Sequence, residues 1–554
     1  MTPKRWMLLT IAAACAALPA FGATNDTATV TVTGELRQPV HFGIDAERLW
    51  FFWPERREQL AEMAVGRLKV DFARVAINGA YEQEEGVTNI SAYSDVIIPM
   101  MKTFRKYNPN LRFFASPRPM KEVYKSKADA KWLADNFKHG NIGMAAYPLW
   151  VGGHKRVVKR VYKKVDKDKW ARYLADYLNL MGREGLDVAY LDLMNEDQSM
   201  WGGDIENVLY VIDRIPALLD RSVTMPKIVF PSTWSPGDGL KKFLNVPSVA
   251  ARRGEVLKRI GVVATHNTPD ADRNKFDEAG LVAFADAVRA VDPDKELWNT
   301  EMHGWVGTRS PSDDILNSII LWRHLAAGFS GIDTWLFFGP WKGAAHPMVY
   351  SNRGHGPEVT AKYEIFKSVV NDTCGGRYVA SASSDKRIVP AVLMKESRML
   401  VSVLNTGDGE IAVRVRLPEG MHVSGRVERR LWEASKGDIS PRISHLECGV
   451  QDWTSIVPAR SLVHFALTVE KQSSPSSSAP NWERRLPGGA LGQRAATYGR
   501  DGVPPPSTAR RDEAPRDRPL RPLYPVHTNH LHPRDFHTHN LTIGCQKYTV
   551  LATF

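Results

Sequence analysis

Short apolar runs alternate with amphipathic stretches from about residue 41 to residue 371, in the rhythm of repeated βα units. Eight of the apolar runs predict strands: His41–Ile44, Val70–Ile77, Leu111–Ser116, Asp187–Met194, Pro226–Pro231, Ile260–His266, Lys295–Thr300 and Gly331–Phe338. Helical patterns lie between them at Glu55–Ala64, Trp170–Arg183, Ile205–Leu219, Phe276–Val291 and Ile315–Ala327. This alternation indicates an α/β domain.

Eight strands with intervening helices predict a (β/α)8 TIM barrel, which usually needs roughly 250 residues plus insertions. Residues 117–167 would form a long insertion on the active face. A doubly wound sheet is the alternative, but no Gly-x-Gly-x-x-Gly follows the first strand. We therefore expect residues 41–371 to form a catalytic barrel.

A different pattern begins after the barrel. Residues 372–470 carry short alternating runs separated by turns, which predicts an all-β side sandwich. The runs are Arg387–Met394, Met399–Asn405, Glu410–Leu417 and Ser461–Thr468. Ala28–Leu36 alternates in the same way, so we expect residues 28–40 to add an N-terminal strand that joins the sandwich to the barrel.

The two ends of the chain differ from both domains. Lys4 and Arg5 precede an apolar run, and small residues follow it, so residues 1–22 are predicted to be a signal peptide of a secreted or periplasmic protein. A lipid anchor at Cys15 is the alternative, and no segment of the mature chain is long enough to span a bilayer. The Pro/Arg/His-rich tail 471–554, with His527–His539, is predicted to be disordered.

Composition narrows the classes of partner. The chain is 43% hydrophobic and 24% charged with a formal net charge of +12, but its basic residues are dispersed, which argues against nucleic acid and is compatible with an acidic polysaccharide. No cysteine spacing indicates zinc. Cys374 and Cys448 form either one bridge or two separate thiols. We expect a monomer.

Two glutamates end predicted strands. Asn195-Glu196 ends the fourth strand and Glu301 ends the seventh, so in a barrel both face the same mouth. Two carboxylates in one cleft can cleave a glycosidic bond, one as proton donor and the other as nucleophile. Burial beside a second carboxylate would keep the donor protonated near neutral pH. The alternatives are a surface helix start at Glu196 and a solvated strand end at Glu301.

With this pair the chain resembles the clan of retaining (β/α)8 glycosidases, and most closely glycoside hydrolase family 30. Three further segments resemble that family: Phe72–Ile77, Leu111–Pro117, in which Arg118 replaces a following tryptophan, and Lys362–Asn371. The family includes xylanases, glucosylceramidase-like enzymes and β-1,6-glycanases. The resemblance implies double displacement through a covalent glycosyl-enzyme, with no metal and no cofactor.

The resemblance also implies the roles of individual residues. Glu196 is the expected acid/base and Glu301 the expected nucleophile, which Arg74 supports. Asn195 is expected to bind the sugar hydroxyl beside the reacting carbon, and His266 resembles the active-face histidine of the clan. Thr268 stands where relatives often have a tyrosine that orients the nucleophile, and Tyr147 and Tyr190 are not clear replacements.

Aromatic residues are the candidates for stacking on a sugar. We expect Trp335, on the eighth strand, to form the sugar platform, with Trp234 and Trp150 as further substrate-binding residues. The substrate is expected to be xylan or glucuronoxylan, whose glucuronate could be gripped from the loops that hold Arg309, Lys342 and Arg353. A β-1,6-glycan, a glucosyl conjugate and a non-catalytic carbohydrate-binding barrel are the alternatives.

Overall fold

A computed structural model of the chain describes residues 27–46, 56–78, 82, 84–95, 97–118, 147–148, 150–152, 165–196, 200–268, 276–303, 310–339, 347–350, 356–447, 451–471, 542–543 and 546–547. The chain divides into two compact units, Met1–Ser477 and Ser478–Phe554. In the second unit, Thr542–Ile543 pairs antiparallel with Gln546–Lys547. The first unit holds a barrel and a large β-sheet.

The barrel is a closed ring of eight parallel strands, which confirms the predicted TIM barrel. Its first strand pairs with both the second and the eighth, and so closes the ring. The strands are β2 (His41–Asp45), β3 (Phe72–Asn78), β4 (Arg112–Arg118), β5 (Val188–Asp192), β6 (Lys227–Thr233), β7 (Val262–Thr265), β8 (Glu296–Met302) and β9 (Gly331–Thr334). Each overlaps a strand predicted from the sequence.

The predicted eighth strand is too long at its end. β9 stops at Thr334, and Phe338–Gly339 instead pairs with Val349–Tyr350 in a separate three-stranded sheet completed by Glu358–Val359 (β10–β12 in chain order). Trp335 therefore lies just past the last barrel strand, joined to Leu336 by a cis peptide bond.

An aromatic layer fills the barrel interior. Phe72 stacks on Trp298 with ring centroids 4.8 Å apart, and Phe114 and Tyr190 pack against the same two rings. Glycines on the neighbouring strands make room for this layer. A Cβ atom at Gly43 would lie 2.0 Å from the Phe72 ring, and one at Gly331 would lie 2.3 Å from the Trp298 ring.

Helices cover the outside of the barrel. Lys167–Arg183 shows why they form: Asp166 caps its first turn by accepting from the backbone N–H groups of Asp168 and Lys169, and its apolar face is buried. Among the described residues, the α-helices are Arg57–Ala61, Ser91–Ser94, Ile97–Tyr107, Lys167–Arg183, Ile205–Arg214, Pro236–Gly239, Pro247–Ala250, Arg253–Arg259, Glu278–Arg289, Pro311–Asn317, Ile319–Ala326 and Ala361–Thr373. Shorter 3-10 or π turns occur at Glu62–Gly66, Ile215–Leu218, Leu240–Leu244 and Ala434–Lys436.

The second sheet has nine strands, which are β1 (Ala28–Pro39), β13 (Arg377–Ser383), β14 (Ile388–Lys395), β15 (Arg398–Asn405), β16 (Ile411–Arg416), β17 (Met421–Glu433), β18 (Arg442–Leu446), β19 (Asp452–Val457) and β20 (Ser461–Lys471). Their order across the sheet is β18-β17-β20-β15-β14-β13-β1-β16-β19. β1 pairs antiparallel with β13 and parallel with β16, so the N-terminal strand joins the sheet as predicted. The sheet curls around one apolar core and matches the expected β-sandwich.

The helix Ala361–Thr373 joins barrel and sheet. Its Ser368 bonds the buried His464 of β20 over 2.8 Å, and its Asp372 forms an ion pair of 2.6 Å with Arg430 of β17. Burial lowers the pKa of His464 well below its usual value. A neutral histidine and a paired arginine thus hold the helix against the sheet.

Several expectations about the ends of the chain and its cysteines lie beyond the described residues, including residues 1–22, Cys15, Cys448 and His527–His539. Cys374 is a free, buried thiol that donates to the Asp71 carboxylate over 2.9 Å. In the described part of the chain, no helix combines the length and apolarity that a bilayer crossing requires.

Candidate active site

The strand ends bring the two predicted glutamates together. Glu196 follows β5, Glu301 lies on β8, and His266 follows β7. One carboxylate oxygen from each glutamate and one ring nitrogen of His266 all lie within 4.8 Å of one another. The side chains are largely buried, with 9% of Glu196 and 6% of Glu301 exposed. The two carboxylates share one largely buried site.

A tight turn aims Glu196 inward. Asn195 and Glu196 both have positive φ, 41° and 67°, and the Asp192 carboxylate accepts from the backbone N–H groups of Met194 and Asn195. The backbone N–H of Glu196 then donates to the carbonyl of Ser232 over 3.0 Å. Asparagine tolerates this left-handed conformation better than most residues. Both residues of the pair therefore lie in a turn with left-handed backbone conformations.

Arg74 connects Glu301 and Asn195. Its Nη1 donates to a Glu301 carboxylate oxygen and, over 2.9 Å, to the carbonyl of Thr300. Its Nη2 donates to the Asn195 side-chain oxygen and, over 2.8 Å, to the hydroxyl of Ser116. The arginine is 1% exposed. Its planar guanidinium therefore fixes the relative positions of three strand ends.

His266 lies between the two carboxylates. Its Nδ1 is 2.5 Å from Oε1 of Glu196 and 3.7 Å from Oε2 of Glu301, and the residue is fully buried. The shorter separation is that of a hydrogen bond. Two ligands of one tetrahedral zinc ion each lie about 2.0–2.2 Å from the metal and therefore lie farther from each other than His266 Nδ1 lies from Glu196 Oε1. In this geometry His266 is hydrogen-bonded to Glu196, and Glu301 lies beyond hydrogen-bond distance of the same ring nitrogen. The three groups are also the candidates for metal ligation among the described residues.

Two asparagines support the Glu301 backbone. The Asn299 side chain accepts from the N–H of Glu301 over 3.0 Å and donates to the Asn267 side chain over 2.7 Å. Asn267 in turn accepts from the N–H of His303 over 3.0 Å. This chain of amides joins the ends of β7 and β8.

His303 is a site residue that the sequence reasoning missed. Its Nε2 lies 3.2 Å from Oε2 of Glu301, and its ring stacks on Trp335 with centroids 4.2 Å apart. Burial lowers the pKa of His303, although contact with Glu301 opposes that effect. The available signal was its position two residues after Glu301 in an extended segment, where alternate side chains share a face.

A buried lysine contacts the backbone of Trp335. It is partly buried, and its carbonyl accepts from Nζ of the buried Lys362 over 3.0 Å. Burial lowers the pKa of Lys362 to about 7, and nearby Asp314 opposes the effect. The structure thus brings Trp335, through His303, into contact with the glutamate site.

The other two predicted tryptophans are placed differently. Trp234 follows β6, is 36% exposed, and its carbonyl accepts from the N–H of Thr268 over 3.1 Å. Trp150 is 9% exposed, and its indole N–H donates to the Glu82 carbonyl over 2.6 Å. Arg172 lies over the Trp150 ring at 4.6 Å. Trp150 thus packs against Glu82 and Arg172, and its sugar contact stays a prediction, as does that of Trp234.

The hydroxyls of Thr268, Tyr147 and Tyr190 were the candidates to orient the expected nucleophile Glu301. Within the described residues, the buried hydroxyl of Thr268 has no hydrogen-bond partner. Tyr147 donates to the carbonyl of Leu193 over 2.5 Å, and the Tyr190 hydroxyl accepts from Arg112. A nitrogen of His303 lies beside Glu301 instead. Arg309, Lys342 and Arg353 lie outside the described residues, so the glucuronate contact stays a prediction.

Comparisons with known proteins place the fold. No protein-family model matches the chain, and no curated protein is similar to it in sequence. A family 30 endoxylanase from Clostridium papyrosolvens matches with a TM-score of 0.55 at 14% identity, over 80% of this chain and 100% of that one. The catalytic domain of the family 30 xylanase C from Talaromyces cellulolyticus matches with a TM-score of 0.58 at 12% identity, over 79% and 100%.

A third similar structure is an endo-β-1,6-glucanase. It matches with a TM-score of 0.56 at 15% identity, over 79% of this chain and 94% of that one. The chain therefore has a (β/α)8 fold with a β-sandwich like that of family 30 glycosidases. Likeness at such low identity establishes the fold and leaves the chemistry to the site.

Proposed function

We propose that this protein is a retaining glycoside hydrolase that cleaves β-glycosidic bonds. The observation that carries the proposal is the closeness of the two carboxylates: one oxygen of Glu196 lies within 4.8 Å of one oxygen of Glu301. Retaining glycosidases place their carboxyl groups about 5–5.5 Å apart, whereas inverting enzymes need about 6.5–9.5 Å to admit a water molecule. The short separation supports double displacement.

The surroundings of the two glutamates support separate roles. Glu301 is bound by the Arg74 guanidinium, which favours the ionised carboxylate that a nucleophile requires. Glu196 contacts His266 through Oε1. If the neutral imidazole donates from Nδ1 to that oxygen, the acidic proton resides on Oε2, from which it can reach a leaving group. We assign Glu301 as nucleophile and Glu196 as acid/base.

The reaction then takes two steps. In the first, Glu301 attacks the anomeric carbon, the glycosidic C–O bond breaks, and Glu196 protonates the departing oxygen. In the second, Glu196 takes a proton from water, the water oxygen attacks the anomeric carbon, and the ester to Glu301 breaks. Asn195, fixed by Arg74, donates its amide N–H to the sugar hydroxyl beside the reacting carbon. All of these groups come from the chain itself.

Xylan or glucuronoxylan is the substrate that we propose first. Two of the similar structures are xylanases, and the partly exposed Trp234 and Trp335 suit the apolar face of a sugar. A β-1,6-linked glucan is the second candidate, because an endo-β-1,6-glucanase has a similar fold. A screen of xylan, debranched xylan, β-1,6-glucan and glucosyl conjugates distinguishes these substrates.

The decisive experiment separates the two glutamates. We expect Glu301→Ala to lose turnover of an aryl β-glycoside and to regain it with azide, giving a glycosyl azide of inverted configuration. Glu196→Ala should regain turnover with azide and give the retained product. Glu82→Gln, which changes another buried glutamate, is the control. Substantial polysaccharide turnover by Glu301→Ala without azide would exclude the assignment.

The remaining proposals concern the form of the mature protein. We propose that residues 1–22 are removed on export, that the mature chain is secreted or periplasmic, and that it acts as a monomer. We also propose that the barrel comprises residues 41–371, the sandwich residues 372–470 and the tail residues 471–554. Mass spectrometry of the secreted protein and light scattering test the processing and the oligomeric state.

A further inference from the structure

His303 contacts both halves of the candidate site. One ring edge lies on the Glu301 carboxylate, with Nε2 3.2 Å from Oε2. One ring face stacks on Trp335, with centroids 4.2 Å apart and planes inclined by 30°. Its backbone N–H is held by Asn267 over 3.0 Å. A single residue therefore joins the expected nucleophile to the expected sugar platform.

The contact with Glu301 determines which ring nitrogen of His303 carries a proton. Nε2 lies 3.2 Å from Oε2 of Glu301, and the residue is 9% exposed. An ionised carboxylate can only accept hydrogen bonds. The proton must then reside on Nε2, and through it His303 orients the carboxylate oxygen.

Thr268, which follows β7, does not donate its hydroxyl to Glu301. That hydroxyl is buried and, within the described part of the chain, without a hydrogen-bond partner. Glu301 thus receives the guanidinium of Arg74 on Oε1 and the imidazole of His303 on Oε2. The two oxygens of the nucleophile are held differently.

We propose that His303 is a positioning residue that orients Oε2 of Glu301 and transmits the placement of Trp335 to that oxygen. The inference rests on the proposed glycosidase function. A sugar ring that stacks on Trp335 restricts the indole, and through the stack it restricts His303 and the Glu301 oxygen. Substrate binding therefore tightens the geometry of the nucleophile.

Two substitutions separate the donor from the stack. His303→Phe keeps a ring on Trp335 and removes the donor, whereas His303→Gln keeps an amide N–H near the position of Nε2. We expect His303→Phe to lower kcat on an aryl β-glycoside by about 10- to 100-fold, as for loss of a hydrogen bond to a charged group. KM should change less than about threefold.

A pH profile distinguishes this role from simple packing. A hydrogen bond to the charged form of an acid favours that form, so its loss in His303→Phe should move the acidic limb of kcat/KM upward by about one pH unit. His303→Gln should leave the limb in place. His445→Gln, on the exposed edge strand β18, is the matched control. An unmoved limb and equal losses in both variants would overturn the inference.

A second measurement tests the role of His303 without relying on catalytic activity. Nitrogen-15 spectra of the histidines should show His303 protonated at Nε2 near neutral pH, and Glu301→Gln should shift that resonance while Glu82→Gln leaves it unchanged. A proton on Nδ1, or insensitivity to Glu301→Gln, would refute the role of His303. Absence of wild-type turnover on every glycoside would refute the proposed function instead.

Discussion

Nζ of Lys362 lies 3.0 Å from the carbonyl oxygen of Trp335. Lys362 is in the first turn of Ala361–Thr373, the same helix whose Ser368 bonds His464 of the β-sandwich. Hydrogen bonds from one helix therefore reach both Trp335, the expected sugar platform, and the β-sandwich. Burial of the lysine on this path also makes the stability of the protein depend on pH.

Lys362 is expected to make the folded protein more stable as pH rises above neutrality. Its folded-state pKa is about 7 against an ordinary value of 10.5, so between these values the unfolded chain binds a proton that the folded chain does not. This one group adds at most about 1.4 kcal/mol of stability per pH unit. In urea titrations at pH 7, 8 and 9, the free energy of unfolding of the wild type minus that of Lys362→Met should increase with pH. A constant difference would contradict the buried neutral amine.

Removal of the Trp335 ring should weaken substrate binding more than the chemical step. We expect Trp335→Ala to raise KM for an oligosaccharide by about 10-fold or more, because the loss of aromatic contact with a sugar face costs on the order of 1–3 kcal/mol. Trp335→Phe should recover part of this loss. Steady-state kinetics on short and long oligosaccharides give the measurement. An unchanged KM in Trp335→Ala would show that the platform lies elsewhere.

Arg74 should be needed for both stability and activity. Arg74→Met leaves Glu301 and Asp45 buried without their guanidinium partner, and breaking a buried ion pair in this way costs about 3–5 kcal/mol. Arg74→Lys keeps a charge but cannot reach Glu301 and Asn195 with two separate nitrogens. We expect Arg74→Lys to fold and to lose about 100-fold or more in kcat/KM. Thermal melts and kinetics together test this, and a fully active Arg74→Lys would contradict it.

The barrel interior should not tolerate a methyl group at Gly43. Its Cβ would lie 2.0 Å from the Phe72 ring, within the aromatic layer, so Gly43→Ala should cost about 1–3 kcal/mol or more through overpacking. Gly409→Ala is the control, because a Cβ atom there would meet no heavy atom within 4 Å and the φ of Gly409 is not in the left-handed range. Denaturant midpoints measure both. Equal stability of the two variants would mean that the Phe72 ring can move aside.

Much of the fold could be predicted because strand periodicity is local. All eight barrel strands overlap their predicted ranges, since each is a short apolar run bounded by polar residues. The error at Trp335 arose because an apolar run continues through a change of partner, from β9 to the small sheet at Phe338. Apolar residues alone do not mark where one sheet ends and another begins.

Local sequence patterns account for the eight-unit rhythm, the N-terminal strand of the side sheet, and two glutamates at strand ends on one barrel mouth. The contacts of those glutamates follow only from the three-dimensional fold. His303 against Glu301 and Trp335, Lys362 behind Trp335, and Trp150 among packed residues all depend on side-chain directions across different strands. Strand patterns depend on neighbours in the chain, whereas hydrogen bonds and stacking depend on distances of a few ångströms that only the closed barrel establishes.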